Sequence, residues 1–149
     1  MGADASLREQ AIRTECRDLV ARTAYLLDAQ DYEAFVECFT EDAQLTRPGG
    51  SALVGRADIL ASYRARPADR ITRHQLTNTV VEVETPDAAR AVSYVVVWSA
   101  SAGEPVEAAG RKANARLVMG EFRDRLVRTP QGWRVSQRDA AFLMYRDLA

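Results

Sequence analysis

His74 is the only histidine in the chain, and it falls within the run Thr72-Arg73-His74-Gln75-Leu76-Thr77-Asn78. Side chains alternate along a strand, so this run sets His74, Leu76, Asn78 and Val80 on one face, two polar groups among two apolar ones. Such a mixed face reads as inward. Imidazole titrates near neutral pH and, when neutral, carries a free lone pair, which suits it to take a proton from a substrate. A ring that fills space and bonds a backbone carbonyl would explain the same position. Asp28 is the second candidate, in the stretch Tyr25-Leu26-Leu27-Asp28-Ala29-Gln30-Asp31-Tyr32. The last turn of a helix is the negative end of its dipole, and a carboxylate there costs a few tenths to about 1 kcal/mol. Asp31 is explained locally as a helix cap. Asp28 needs a partner elsewhere, or a local Asx-type bond in an exposed turn. Asn78 would either bond a substrate oxygen or support the histidine. Tyr63 and Trp98 are candidate pocket aromatics, with core packing or an interface as the competing use.

Other chemistries lack their residues. One histidine and two separated cysteines give no CxxC, no HExxH and no carboxylate triad at ligand spacing, so no metal is expected. There is no GxGxxG and no GxxxxGK[ST], so no nucleotide cofactor is expected either. The chemistry should be cofactor-free. The chain carries 20 basic and 21 acidic residues for a net charge of −1, with both signs interspersed, which argues against nucleic acid as a partner. All but one of those 20 basic residues are arginine, scattered along the chain, and read as composition bias. No run approaches the roughly 18 apolar residues of a membrane span, and no basic-then-apolar leader opens the sequence, so a cytoplasmic location is expected. Cys16 and Cys38 fall on apolar helical positions and read as reduced core thiols.

The elements that must position these residues follow from periodicity. At 149 residues and 47% hydrophobic content, residues 1–149 form one domain. Ser6-Leu7-Arg8-Glu9 is a capping box, and from it Ile12, Cys16, Leu19, Val20, Thr23, Ala24 and Leu27 draw one apolar stripe along a long helix. Asp31 caps a short second helix whose buried face is Phe35, Val36 and Phe39. A short strand over 43–47, the breakers Pro48-Gly49-Gly50 and a partner strand over 51–54 come next. A third helix over 57–66 buries Ile59, Leu60 and Tyr63. Four long strands over 71–84, 89–101, 113–129 and 133–146 then form a meander. Helices first and strands afterwards mean α+β. A highly curved sheet with three helices on its concave side would enclose a pocket. The alternating Val92, Tyr94, Val96 and Trp98 give a second apolar face suited to self-association.

Several motifs together resemble the SnoaL-like family of the nuclear-transport-factor-2-like superfamily, over about residues 7–146. They are a capped helix ending in Leu27-Asp28, the run Asp31-Tyr32 to Phe35 and Phe39, Gly55-Arg56, His74 to Asn78, and the strand start Gly132-Trp133-Arg134-Val135. The resemblance implies a cone-shaped α+β fold with three N-terminal helices against a highly curved, mostly antiparallel sheet around a pocket. That family includes dehydratases, dehydrochlorinases, polyketide cyclases, ketosteroid isomerases and accessory subunits of ring-hydroxylating dioxygenases. It implies that Asp28 and His74 pair as a general base in a cofactor-independent lyase or isomerase, with a small apolar or aromatic organic ligand and a homodimer or homotrimer. A small-ligand binder or accessory subunit without catalysis is the alternative. Two features of such sites have no counterpart here: no second histidine is present, and Thr23 stands where the resemblance places a basic residue of the first helix.

Overall fold

The computed structural model of the chain describes residues 2–148; Met1 and Ala149, the ends of the expected domain, lie outside them. The apolar stripe of the first segment folds as helix α1 (Gly2–Asp28), which buries Ile12, Cys16, Leu19, Val20, Thr23, Ala24 and Leu27. The stripe is the one its spacing predicts. The start is not: Ser6 was expected to cap the helix and instead lies within its second turn. Ala3 and Ala5 favour helix, Asp4 sits at the positive end of the dipole, and Asp4 and Arg8 pair at 3.0 Å across one turn. These extend the helix past the box.

At its other end α1 closes with Gln30 in the left-handed region at φ 58°. The Asp31 amide bonds the Leu26 carbonyl and the Gln30 amide bonds the Leu27 carbonyl, the paired pattern of a Schellman stop. Helix α2 (Tyr32–Glu37) follows, with the Asp31 carboxylate accepting from the Ala34 amide as cap. Phe39, expected on that helix, opens strand β1 (Phe39–Thr46) and is fully buried there. β2 (Ala52–Val54) pairs antiparallel with β1. Helix α3 (Gly55–Arg64) starts from Gly55 at φ 84° and buries Ile59 and Tyr63.

The long strands are β3 (Arg70–Thr85), β4 (Ala88–Ser101), β7 (Arg116–Thr129) and β8 (Gly132–Asp147). The loop between β4 and β7 carries a small separate hairpin, β5 (Val106–Glu107) with β6 (Gly110–Arg111). The main sheet runs β2-β1-β8-β7-β4-β3 and is open. Its meander is antiparallel, while β1 joins β8 in parallel, which makes the sheet mixed. Irregular pairing bends it. Along β7 and β8 the register shifts beside Gly120, where a Cβ would lie 2.6 Å from the Ala141 carbonyl oxygen. In β3, Asn78 and Thr79 together oppose Ser93, and Asn78 takes φ 53°.

α1 packs along β3, and α3 packs on β1. β3 is an outer strand paired only with β4. Arg13 of α1 donates to the Val81 carbonyl and Arg17 Nε donates to the Thr79 carbonyl at 3.4 Å. The core lies between helices and sheet, around Phe35, Phe39, Leu45, Ile59, Leu126 and Val135. Both cysteines are free and buried. Burial, reinforced by the Glu15 charge against that of Arg128, pushes the Cys16 thiol up to about 11.

Candidate active site

The Schellman stop fixes where α1 ends, and so where the Asp28 carboxylate points. Asp28 Oδ1 lies 2.6 Å from His74 Nδ1, Oδ2 accepts the His74 backbone amide at 2.7 Å, and Oδ1 accepts the Thr72 hydroxyl at 2.9 Å. These bonds offset the unfavourable end of the helix dipole. Both side chains are 11% exposed. Burial alone would raise the Asp28 carboxyl; the ring and amide bonds of His74, its charge and the Thr72 hydroxyl outweigh burial and hold it below the usual aspartate value. A carboxylate on Nδ1 fixes the proton there and leaves Nε2 as the basic nitrogen. Nε2 makes no hydrogen bond among the described residues.

The His74 ring lines a chamber of about 290 Å³ between the helices and the concave sheet. Its apolar wall comes from Leu27 of α1, Val95 and Val97 of β4, Phe122 of β7 and Phe142 of β8. The Phe122 ring centroid lies 6.5 Å from that of His74. Beneath Phe122 is a buried ion pair the sequence reading missed. Arg138 Nε and Nη2 each donate to the Asp124 carboxylate at 2.7 Å, and Nη1 donates to the Thr23 hydroxyl at 2.9 Å. The Arg138 guanidinium stacks 4.4 Å from the Phe122 centroid. Burial opposes its charge, yet Asp124 outweighs burial and raises its pKa. Removing one member of such a pair costs about 3–5 kcal/mol, because the other charge stays buried. Thr23, a hydroxyl on an otherwise apolar stripe, was the one sequence signal for it.

Tyr63 and Trp98 fall in two different hollows that share His74, and Asn78 lines neither. Tyr63 is buried and lines the chamber. Burial, against the pull of Arg138, Arg47 and Arg66, raises its phenol above the usual range, so the hydroxyl stays a donor at neutral pH. Asn78 does not join His74: it is exposed at the bulge, and the extra residue there reverses which side chains face inward. Val80, expected inward, is 66% exposed as a result. Trp98 is also outside the chamber, but it lines a second, more open hollow of about 620 Å³ together with Asp28 and His74. It stands on the outer face of β4 opposite Arg73, and its Nε1 donates to Gln75 Oε1 at 2.9 Å. Three arginines that sequence reasoning set aside, Arg47, Arg66 and Arg70, line the chamber instead.

Among the described residues no cluster of His, Cys, Asp and Glu could hold a metal ion, and no helix is long and apolar enough to cross a membrane.

Three helices on an open, bent, mixed sheet make an α+β fold of the nuclear-transport-factor-2-like kind. The SnoaL-like domain family matches residues 8–139, and the chain belongs to that family. A nuclear-transport-factor-2-like protein with a cystatin-like fold from Novosphingobium aromaticivorans is 32% identical, with 95% of this chain and 88% of that one covered at a TM-score of 0.73. A hexachlorocyclohexane dehydrochlorinase of type 2 superposes with TM-score 0.80 at 18% identity, covering 97% and 93% of the two chains. A candidate scytalone dehydratase from Novosphingobium aromaticivorans superposes at 0.77 and 18% identity over 100% and 93%. The last two likenesses are of fold. No curated protein matches the chain.

Proposed function

We propose that the protein is a cofactor-independent lyase or isomerase in which His74 is the general base and Asp28 orients it, acting on a small, largely apolar hydroxylated or carbonyl compound. The observation that carries this reading is the 2.6 Å contact between Asp28 and Nδ1 of His74, a residue that lines the chamber beside Leu27, Val95 and Phe122, with Nε2 unpartnered among the described residues. In an elimination, Nε2 takes a proton from the carbon adjacent to the one that bears the leaving hydroxyl. The C–H electron pair becomes the new C=C bond, and the leaving hydroxide departs with its bonding pair and recovers the proton from the imidazolium as water. Asp28 stabilises the imidazolium in between. In an isomerisation the same nitrogen returns the proton to another carbon. Two relatives in fold, described as a dehydrochlorinase and a candidate dehydratase, support elimination.

The test joins spectroscopy to turnover. Ring ¹⁵N shifts of the single histidine should show the proton on Nδ1 in the wild type and a mixture of tautomers in Asp28→Asn. On a substrate found by screening hydroxylated and carbonyl ring compounds, His74→Gln should lower kcat by about 10²- to 10⁴-fold. A mixed tautomer in the wild type, or undiminished turnover in His74→Gln, would remove the base from the mechanism.

A second reading, an accessory or ligand-binding subunit, is favoured by one feature. Phe142, Leu143, Met144 and Tyr145 are all exposed near the end of β8. A homodimer or homotrimer would cover the same strip, and light scattering of the purified protein distinguishes self-association from a demand for another subunit.

A further inference from the structure

The chamber's wall is apolar and its rim is cationic. Arg47, just after β1, and Arg66, just after α3, place their guanidinium carbons 5.3 and 5.6 Å from the Tyr63 ring centroid. Arg70, at the start of β3, lines the same cavity. None of the three forms an ion pair among the described residues, whereas their neighbour Arg64 is paired with Glu33. The carboxylate nearest to the chamber chemistry, Asp28, is already engaged by His74 and Thr72. Tyr63 is 7% exposed, and its hydroxyl makes no hydrogen bond among the described residues. Burial together with the charges of Arg70 and Arg47 presses the Arg66 pKa down, against Tyr63 and Tyr32. Cations brought together without a counter-charge are stabilised by whatever anion enters between them.

We propose that the chamber selects a small organic carboxylate, with its acid group among Arg47, Arg66 and Arg70 and its apolar ring or chain against Phe122, toward His74. This deepens the lyase or isomerase reading by naming the substrate class, and rests on that reading for the ligand's inner end. A guanidinium offers two parallel N–H donors to a planar carboxylate, a geometry that a neutral amide cannot match in charge. Tyr63 lines the same cavity, and its hydroxyl adds a second kind of donor. A largely apolar body still fits, because Leu27, Val95 and Phe122 line the rest.

Binding separates this proposal from the catalytic one, since it needs no turnover. Calorimetry on the full chain would compare benzoate, cyclohexanecarboxylate and 1-naphthoate with their primary amides, and with inorganic phosphate. At least one acid should bind about tenfold tighter than its amide and tighter than phosphate, and should shift the His74 ring signals. Arg66→Gln and Arg70→Gln, singly, should each erase most of that preference. Arg70 is exposed, so its variant tests the rim without disturbing the core. His74→Gln should keep the acid preference. Equal binding of acid and amide in every pair would overturn the proposal. So would an acid preference that survives both arginine variants, or phosphate binding as tightly as the best carboxylate. Equal binding of acid and amide by the wild type, with an intact His74 kinetic effect, sinks this inference alone; a wild-type acid preference with undiminished turnover in His74→Gln sinks the base alone.

Discussion

Asp28 joins residues 46 positions apart through one carboxylate, and the same bonds that hold His74 also hold α1 against β3. Function and stability are therefore coupled at this side chain. Its carboxyl is held below the ordinary aspartate value, which is near 3.9 in an unfolded chain. A depressed folded-state pKa means that the stabilisation is present above the unfolded value and is lost as pH falls through the folded one. Asp28→Asn should therefore lower the free energy of unfolding by about 1–3 kcal/mol at neutral pH. The gap from wild type should narrow below about pH 4, as the wild-type carboxyl takes up a proton. Urea denaturation at several pH values checks this, and a gap that widens in acid would contradict it. Asp28 was legible in the sequence because it stood at a helix end that disfavours it. Its partner's identity came from the family resemblance, since spacing alone does not show that two side chains meet.

At the scale of elements, periodicity carried the helices well and the strands only in part. The α1 stripe was readable because seven buried positions repeat over one face. The face of β3 beyond Thr77 was not, because an alternating pattern gives no sign of where its phase slips. Leu76 and Val81 face the core on either side of the slip, and Asn78 absorbs the change at φ 53°. Asparagine tolerates this conformation better than most residues, which is the only trace the bulge leaves in the sequence. Asn78→Gly should leave thermal stability and turnover close to wild type. Asn78→Val should cost about 1–2 kcal/mol, since a β-branched side chain resists the left-handed region. Loss of turnover in a stable Asn78→Gly would return this residue to the site. The parallel pairing of β1 with β8 was illegible for a different reason: the two strands are separated by most of the chain, and nothing local encodes their encounter.

For the whole molecule, the scattered arginines that look alike in the sequence divide by location. Arg138 is buried against Asp124, Arg47, Arg66 and Arg70 surround the chamber, and others serve the sheet's outer strand. Only the three-dimensional arrangement separates these uses. The third group has a consequence for how the protein behaves in a crowded solution. β3 spans 16 residues with one flank paired to β4, and the other flank would accept a strand from another molecule. Arg13 and Arg17 occupy carbonyls of Val81 and Thr79 along that flank. They act as a guard against edge-to-edge polymerisation. The double variant Arg13→Ala, Arg17→Ala should retain native circular dichroism yet grow thioflavin-positive assemblies from concentrated solution while wild type stays clear. A variant that stays equally clear would show that the bulk of α1 alone shields the strand. The arginine content of this chain would then owe nothing to keeping its copies apart.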